Sequence, residues 1–128
     1  MPKRIIVVDD EREIREIISF VLTRHGFEVE SVCNGQQLHR LLTLQLPDLI
    51  ILDVMMPGED GYHLCSWLRS EPVTRHIPVM MITAHPEDIY ERISIDLGAA
   101  EHITKPFHPL EVAEKVKAIL EIEASNRS

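Results

Sequence analysis

Asp9, Asp10, Asp53, Thr83 and Lys105 are the residues of this sequence whose types and placement suit one piece of chemistry, because each directly follows a short apolar run. Asp9-Asp10-Glu11 follows Ile5 to Val8, Asp53 follows Leu49 to Leu52, Thr83 follows Val79 to Ile82, and Lys105-Pro106 follows a weaker run from Glu101 to Thr104. If the ends of these runs meet, three aspartates share one place. Carboxylates that close raise one another's pKa and oppose folding unless something compensates them. A hard divalent cation does so. Mg²⁺ takes oxygen ligands in octahedral geometry, keeps several waters and typically uses one or two carboxylates plus a phosphate, which suits Asp10 and Asp53 directly, with Asp9 close by or through water. Lys105 adds a fixed positive charge and Thr83 a hydroxyl donor. A metal, a lysine and a hydroxyl around an anionic PO₃ group are the parts of phosphoryl transfer, in which the protein positions and neutralises. A carboxylate can itself be the nucleophile, and Asp53, following the central apolar run, is the best placed. No Ser-His or Cys-His pair has a shared location, so acyl transfer has no support.

The elements that must bring these residues together are legible in the hydrophobic pattern. The near-continuous β-branched runs at Ile5, Leu49 and Val79 read as strands buried on both faces, as in a parallel sheet covered by helices. Ile14, Ile17, Ile18, Val21 and Leu22 follow a helical stripe, and Val112, Ala113, Val116, Ile119 and Leu120 repeat one near the C-terminus. Between them lie a weaker strand around Phe27 to Val32, helices from about Gln36 to Gln45, Tyr62 to Arg69 and Glu87 to Leu97, and a short strand from about Glu101 to Thr104. His25-Gly26 and Leu97-Gly98 close helices, and Pro47, Pro78 and Pro109 sit at element starts. The order is β-α five times over, with no linker or repeat. Right-handed crossovers then give an α/β fold: a doubly wound, five-stranded parallel sheet, a flavodoxin-like (βα)5 of strand order 2-1-3-4-5. In such a sheet ligands bind beyond the carboxyl ends of the strands where the order reverses, between the first and third strands, which is where Asp9, Asp10 and Asp53 converge.

Composition bounds the alternatives. A chain of 128 residues suits one domain, read here as residues 1–128. Its 21 acidic residues against 13 Lys plus Arg leave a net charge of −8, which works against direct contact with nucleic acid. Cys33 and Cys65 are too few and too far apart for a disulfide framework or a metal knuckle, and read as reduced thiols. Ile5 to Val8 is too short for a signal-peptide core or a membrane span, so the expected location is the cytoplasm, with no membrane partner. His25, His39, His63, His76 and His108 lack metal-ligand spacing and read as surface residues. Met55-Met56 and Met80-Met81 read as loop and core filling, and Trp67 as packing on the third helix.

Taken singly, each site residue has an ordinary explanation. Asp9-Asp10-Glu11 would favour the dipole of the helix that follows, Asp53 would form a turn before Pro57-Gly58, Thr83 would end a strand, and Lys105 would be a solvated charge. Only their joint placement argues for function. Four segments, Val7-Val8-Asp9-Asp10-Glu11, Leu52-Asp53-Val54-Met55-Met56-Pro57-Gly58 with Asp60-Gly61 following, Met81-Ile82-Thr83-Ala84, and Thr104-Lys105-Pro106-Phe107, together resemble the receiver domain of bacterial two-component response regulators. The resemblance covers essentially the whole chain.

It implies that Asp53 is the phosphoacceptor, that Asp10, Asp53 and the Met55 backbone carbonyl ligate Mg²⁺ with Asp9 assisting, and that Thr83, Ala84 and Lys105 contact the phosphoryl group and switch with it. It also implies a cis Lys105-Pro106 bond, a phosphohistidine donor on a sensor histidine kinase, and resetting by autodephosphorylation, without classical enzyme activity. Output would pass to a downstream protein target or an attached effector domain. A homodimer would use the fourth helix, fifth strand and fifth helix, with Tyr90, Arg92, Lys115 and Lys117 as exposed contributors. His102 occupies the switch position usually held by Tyr or Phe, a departure that makes it a titratable variant. His85 and Met55 occupy positions that influence access of water to the acyl phosphate.

The competing readings part from this one at named residues. A haloacid-dehalogenase-type Mg²⁺-dependent phosphatase, also working through an aspartyl-phosphate, wants a second acid two residues after its nucleophile, where this chain has Met55. A flavodoxin wraps its cofactor phosphate in a hydroxyl- and glycine-rich loop, where this chain has Asp9-Asp10-Glu11. A non-phosphorylated pseudo-receiver acting as an interaction module would have lost reactive positions that are present here.

Overall fold

The computed structural model of the protein describes residues 2–54, 61–83 and 98–127. Its strands are β1 (Arg4–Val8), β2 (Glu28–Val32), β3 (Leu49–Asp53), β4 (Val79–Thr83) and β5 (Glu101–Thr104). Helices α1 (Arg12–Arg24), α2 (Gly35–Leu44) and α3 (Gly61–Ser70) follow the first three strands, and a C-terminal helix (Pro109–Arg127) follows the last. The helix expected at Glu87–Leu97 lies outside the described residues, as do Met55, Ala84, His85, Tyr90 and Arg92.

All strand pairs are parallel, in the order β2-β1-β3-β4-β5. The expected doubly wound fold is therefore the observed one. β1, β3 and β4 are buried along their whole length, the property that their unbroken β-branched runs announce. Their side chains alternate between two cores. Ile5, Val7, Leu49, Ile51, Met80 and Ile82 face α1 and the C-terminal helix, meeting Ile18, Leu22, Val112 and Val116. Ile6, Val8, Ile50, Leu52 and Met81 face α2 and α3, meeting Leu38, Leu64 and Leu68. Each such side chain, fully removed from water, contributes about 1.5–3 kcal/mol before conformational entropy is counted, so the central strands are firmly fixed. β2, at the sheet edge, is mostly exposed, which explains its weaker pattern.

Local signals set the helix limits. Asn34 caps α2, its side chain accepting from the Gln37 N–H at 2.8 Å. Gly26 follows α1 at φ +90°, a left-handed conformation that costs glycine little. Two histidines are less solvated than their sequence context suggests. His39 meets Trp67 edge-on at 4.2 Å between ring centroids, joining α2 to α3, and His25 Nδ1 lies 2.8 Å from the Val21 carbonyl oxygen. His63, His76 and His108 are exposed.

Candidate functional site

Strand register assembles the site. Val8 lies opposite Leu52, so Asp9 and Asp53, the next residue of each strand, emerge side by side. Asp53 lies opposite Ile82 and Thr83 opposite Thr104, which brings Thr83 and Lys105 to the same edge. Backbone hydrogen bonds carry the pairing past the strand ends: Asp9 N–H donates to the Val32 carbonyl at 3.1 Å, Val54 N–H to Ile82 at 2.8 Å, and Lys105 N–H to Thr83 at 2.6 Å. The Lys105–Pro106 peptide bond is cis.

The carboxylates of Asp9, Asp10, Glu11 and Asp53 offer oxygens that all lie within 4.8 Å of one another. Asp9 and Asp53 are buried, whereas Asp10 and Glu11 are exposed, so the cluster opens to solvent on one side. Lys105 faces it with its side chain 14% exposed, Nζ lying 2.9 Å from Glu11 Oε1, 3.4 Å from Asp9 Oδ2 and 3.6 Å from Asp53 Oδ2. Burial holds the Asp9 carboxyl above the usual carboxylate range, against the opposing pull of the Glu11 N–H and the Lys105 charge. Burial alone would lower the pKa of Lys105, but the hydrogen bond to Glu11 and the charges of Asp9, Asp53 and Glu11 together raise it. The lysine stays charged.

The donor set fits a hard cation. Asp9 Oδ2 is buried and accepts no hydrogen bond among the described residues, and the carboxylates exceed the single ammonium that faces them. An oxygen-preferring ion would satisfy both deficits.

Two residues of this site escape a reading by motif. Gly61 packs so close under β3 that a Cβ there would run into the Asp53 carbonyl oxygen, and its N–H donates to the Val54 carbonyl at 2.8 Å. The Asp60-Gly61 pair was visible in the sequence, but not this closeness. Glu11 reads as part of an acidic helix start, yet as the residue preceding α1 it makes no side-chain cap bond and instead receives the Lys105 ammonium. Arg15 Nη1, one turn on, donates to the Asp9 carbonyl at 2.6 Å and fastens the same turn from outside. His102 is half-buried beside Glu101, its Nδ1 3.6 Å from Glu101 Oε1, while Lys115 Nζ lies 3.4 Å from Glu101 Oε2. Lys115 is thus engaged by β5, and Lys117 is exposed.

Residues 5–117 match the response regulator receiver domain family. This chain belongs to that family. Among relatives, it is 41% identical over 118 residues to the transcriptional regulatory protein GltR of Pseudomonas aeruginosa, and 40% identical over 120 residues to the alkaline phosphatase synthesis transcriptional regulatory protein PhoP of Bacillus subtilis. These alignments take in 92% and 94% of the chain but 49% of each relative, so the receiver domain spans about half the length of the curated relatives it matches. Solved structures agree on the fold. The chemotaxis response regulator CheY4 of Vibrio cholerae superposes with a TM-score of 0.87 at 25% identity, covering 93% of this chain and 99% of that one. The receiver domain of a signal transduction histidine kinase from Syntrophus aciditrophicus superposes with a TM-score of 0.85 at 39% identity, covering 93% and 90%. A signalling role as a phosphoacceptor domain is what this receiver family supplies. No helix among the described residues is long and apolar enough to cross a membrane.

Proposed function

We propose that Asp53 is the phosphoacceptor of this receiver domain and that its donor is a phosphohistidine on a sensor histidine kinase. The observation that carries the reading is the convergence of Asp9, Asp10 and Asp53 with Lys105 at the carboxyl edge of the sheet. Asp53 Oδ attacks phosphorus in line with the departing imidazole. The N–P bond breaks, the imidazole keeps its electron pair and takes up a proton, and an aspartyl-phosphate remains. Lys105, charged and within ion-pair reach of Asp53, moves to the phosphoryl oxygens, and Thr83, adjacent through the β3–β4 pairing, donates its hydroxyl to them. Asp10, Asp53 and the Met55 carbonyl would hold Mg²⁺ with Asp9 assisting, and the ion supplies neutralisation of the phosphoryl charge.

Water later hydrolyses the acyl phosphate in the same place, so the signal resets itself. The new contacts of Thr83, with Ala84 after it, and a response of His102 would pass the change to the face of the expected fourth helix, β5 and the C-terminal helix, where a protein target, an attached effector or a second copy would dock. We place the domain in the cytoplasm, without direct contact to nucleic acid or membrane.

Incubation with acetyl phosphate and Mg²⁺ tests the reading. Intact mass should rise by one phosphoryl group, and Asp53→Asn should abolish the gain. A gain that survives in Asp53→Asn overturns the assignment.

A further inference from the structure

The Lys105 ammonium has several carboxylates within reach, and the one it bonds most closely is not a residue of the phosphoryl-transfer set. Glu11 Oε1 accepts from Nζ at 2.9 Å, whereas Asp9 and Asp53 stand at 3.4 and 3.6 Å. Glu11 reaches it from the residue before α1, leaving that helix without a side-chain cap, although a short acceptor there normally stabilises a helix. A carboxylate at this place is therefore directed to the lysine instead of the helix end.

We infer that Glu11 is a positioning residue that competes with the phosphoryl group for Lys105 and so restrains phosphorylation of Asp53. The inference rests on the assignment of Asp53 as phosphoacceptor. When Asp53 attacks phosphorus and the leaving group departs with the bonding pair, negative charge gathers on oxygens beyond the Asp53 carboxylate. Lys105 meets them only by giving up Glu11. Because Glu11 is more than half exposed (57%), the pair is weakened by solvent, and its hold on the lysine is a modest brake that the dianionic phosphoryl group overcomes.

The test is the rate of phosphorylation by acetyl phosphate, read by intact mass, in Glu11→Gln and Glu11→Asp. Glu11→Gln removes the charge and leaves Lys105 only a neutral amide acceptor, whereas Glu11→Asp keeps the charge but withdraws it by one methylene from the 2.9 Å contact. Both should phosphorylate roughly two- to five-fold faster, the range expected for a partly exposed ion pair. In a Lys105→Met background, Glu11→Gln should bring no gain. Mg²⁺ affinity of the unphosphorylated Glu11→Gln protein, measured by titration, should stay within about two-fold of the parent, because the metal-holding residues are intact.

A gain that persists without Lys105, or one confined to Glu11→Gln, would mean simple repulsion of the donor and overturn the inference. A tenfold loss of Mg²⁺ affinity would make Glu11 a metal ligand and overturn it equally. If Asp53 phosphorylates normally and neither variant changes the rate, the inference fails while the phosphoacceptor assignment stands. If Asp53→Asn still gains phosphate, the assignment itself has failed.

Discussion

Lys105 Nζ lies 3.6 Å from Asp53 Oδ2 although one residue follows the edge strand β5 and the other ends the central strand β3. β4 is the spacer between them, and Thr83 at its end fills the gap, with the Lys105 N–H on the Thr83 carbonyl at 2.6 Å fixing the approach. The sheet therefore holds an ammonium and a buried carboxylate at a separation close to direct contact, which a small group added to Asp53, as proposed, would bridge. Positioning of this kind, with a charge held in place before the reaction, is where most of the rate of phosphoryl transfer originates.

Asp9→Asn should stabilise the metal-free domain. The raised pKa of Asp9 means that the fold prefers its neutral form, the cost of burial exceeding the attraction to Lys105. The stabilisation that protonation brings is fully present below the ordinary carboxylate pKa and is lost as the pH rises through the higher folded value, so near neutrality the wild type carries a penalty that asparagine removes. Thermal unfolding in EDTA should show the melting temperature rising by a few degrees in Asp9→Asn, with the difference closing in acid. Mg²⁺ should bind the same variant more weakly. A lower melting temperature without metal would show that attraction to Lys105 outweighs burial.

Gly61→Ala should damage both stability and activity. Its Cβ has no room beneath the Asp53 carbonyl, and the obstacle is backbone, which cannot swing aside as a side chain would. Overpacking of this kind costs about 1–3 kcal/mol. Urea unfolding should show that loss, and phosphorylation of Asp53 by acetyl phosphate should slow by more than tenfold, because the end of β3 moves. Normal phosphorylation with reduced stability would mean that the loop yields and the strand does not.

Much of this arrangement is legible before any coordinates. The unbroken runs at β1, β3 and β4 reveal strands buried on both faces, and each leads straight to a site residue, so parallel pairing in the order 2-1-3-4-5 suffices to gather them. What the pattern cannot convey is contact. Glu11 and Lys105 are far apart in the chain, and nothing in a helix-initial acid indicates that its side chain turns to a lysine and not to its own helix. Gly61 is similar, because a glycine two residues into a motif reads as a turn until a neighbouring carbonyl is seen against it. His39 is similar, because its partner, Trp67, comes from another helix.

Cys65 should behave as an inert thiol in the folded protein. Burial pushes its pKa from 9.0 up to about 11, with Arg69 pulling weakly the other way. At pH 8, Cys33, half-buried and 3.3 Å from Gln37 Oε1, should react with a disulfide reagent well before Cys65, and denaturant should expose both equally. Stability should follow. The neutral buried thiol contributes fully below about pH 9, and that contribution disappears as the pH rises through about 11. The stability difference between wild type and Cys65→Ala, from urea unfolding, should therefore shrink between pH 8 and pH 10.5. A constant difference would show that Cys65 does not titrate with unfolding.

A small donor and a protein donor should respond differently to changes beside the site. Phe20 and Leu110, exposed at 64% and 49%, are large apolar side chains close together on the surface. They line, with Ile17 and Pro109, a groove of about 590 Å³ between α1 and the C-terminal helix, over whose rim Arg24 holds Phe20 at 5.5 Å. An adjoining hollow of about 570 Å³, which shares Ile17 and Pro109, reaches Glu11 and Lys105, so the apolar surface runs into the acidic cluster and its lysine. On the proposed function, a kinase delivering a phosphohistidine to Asp53 would cover this ground, whereas acetyl phosphate would not. Truncating a buried apolar anchor typically weakens a protein interface by more than 1 kcal/mol, so Leu110→Ser and Phe20→Ala should each slow transfer from the phosphorylated kinase by about tenfold. Phosphorylation by acetyl phosphate should be unaffected, since neither residue lines the hollow that reaches Glu11 and Lys105. Equal slowing with both donors would place the damage in the site itself, and no slowing with either would mean that the kinase approaches from another side.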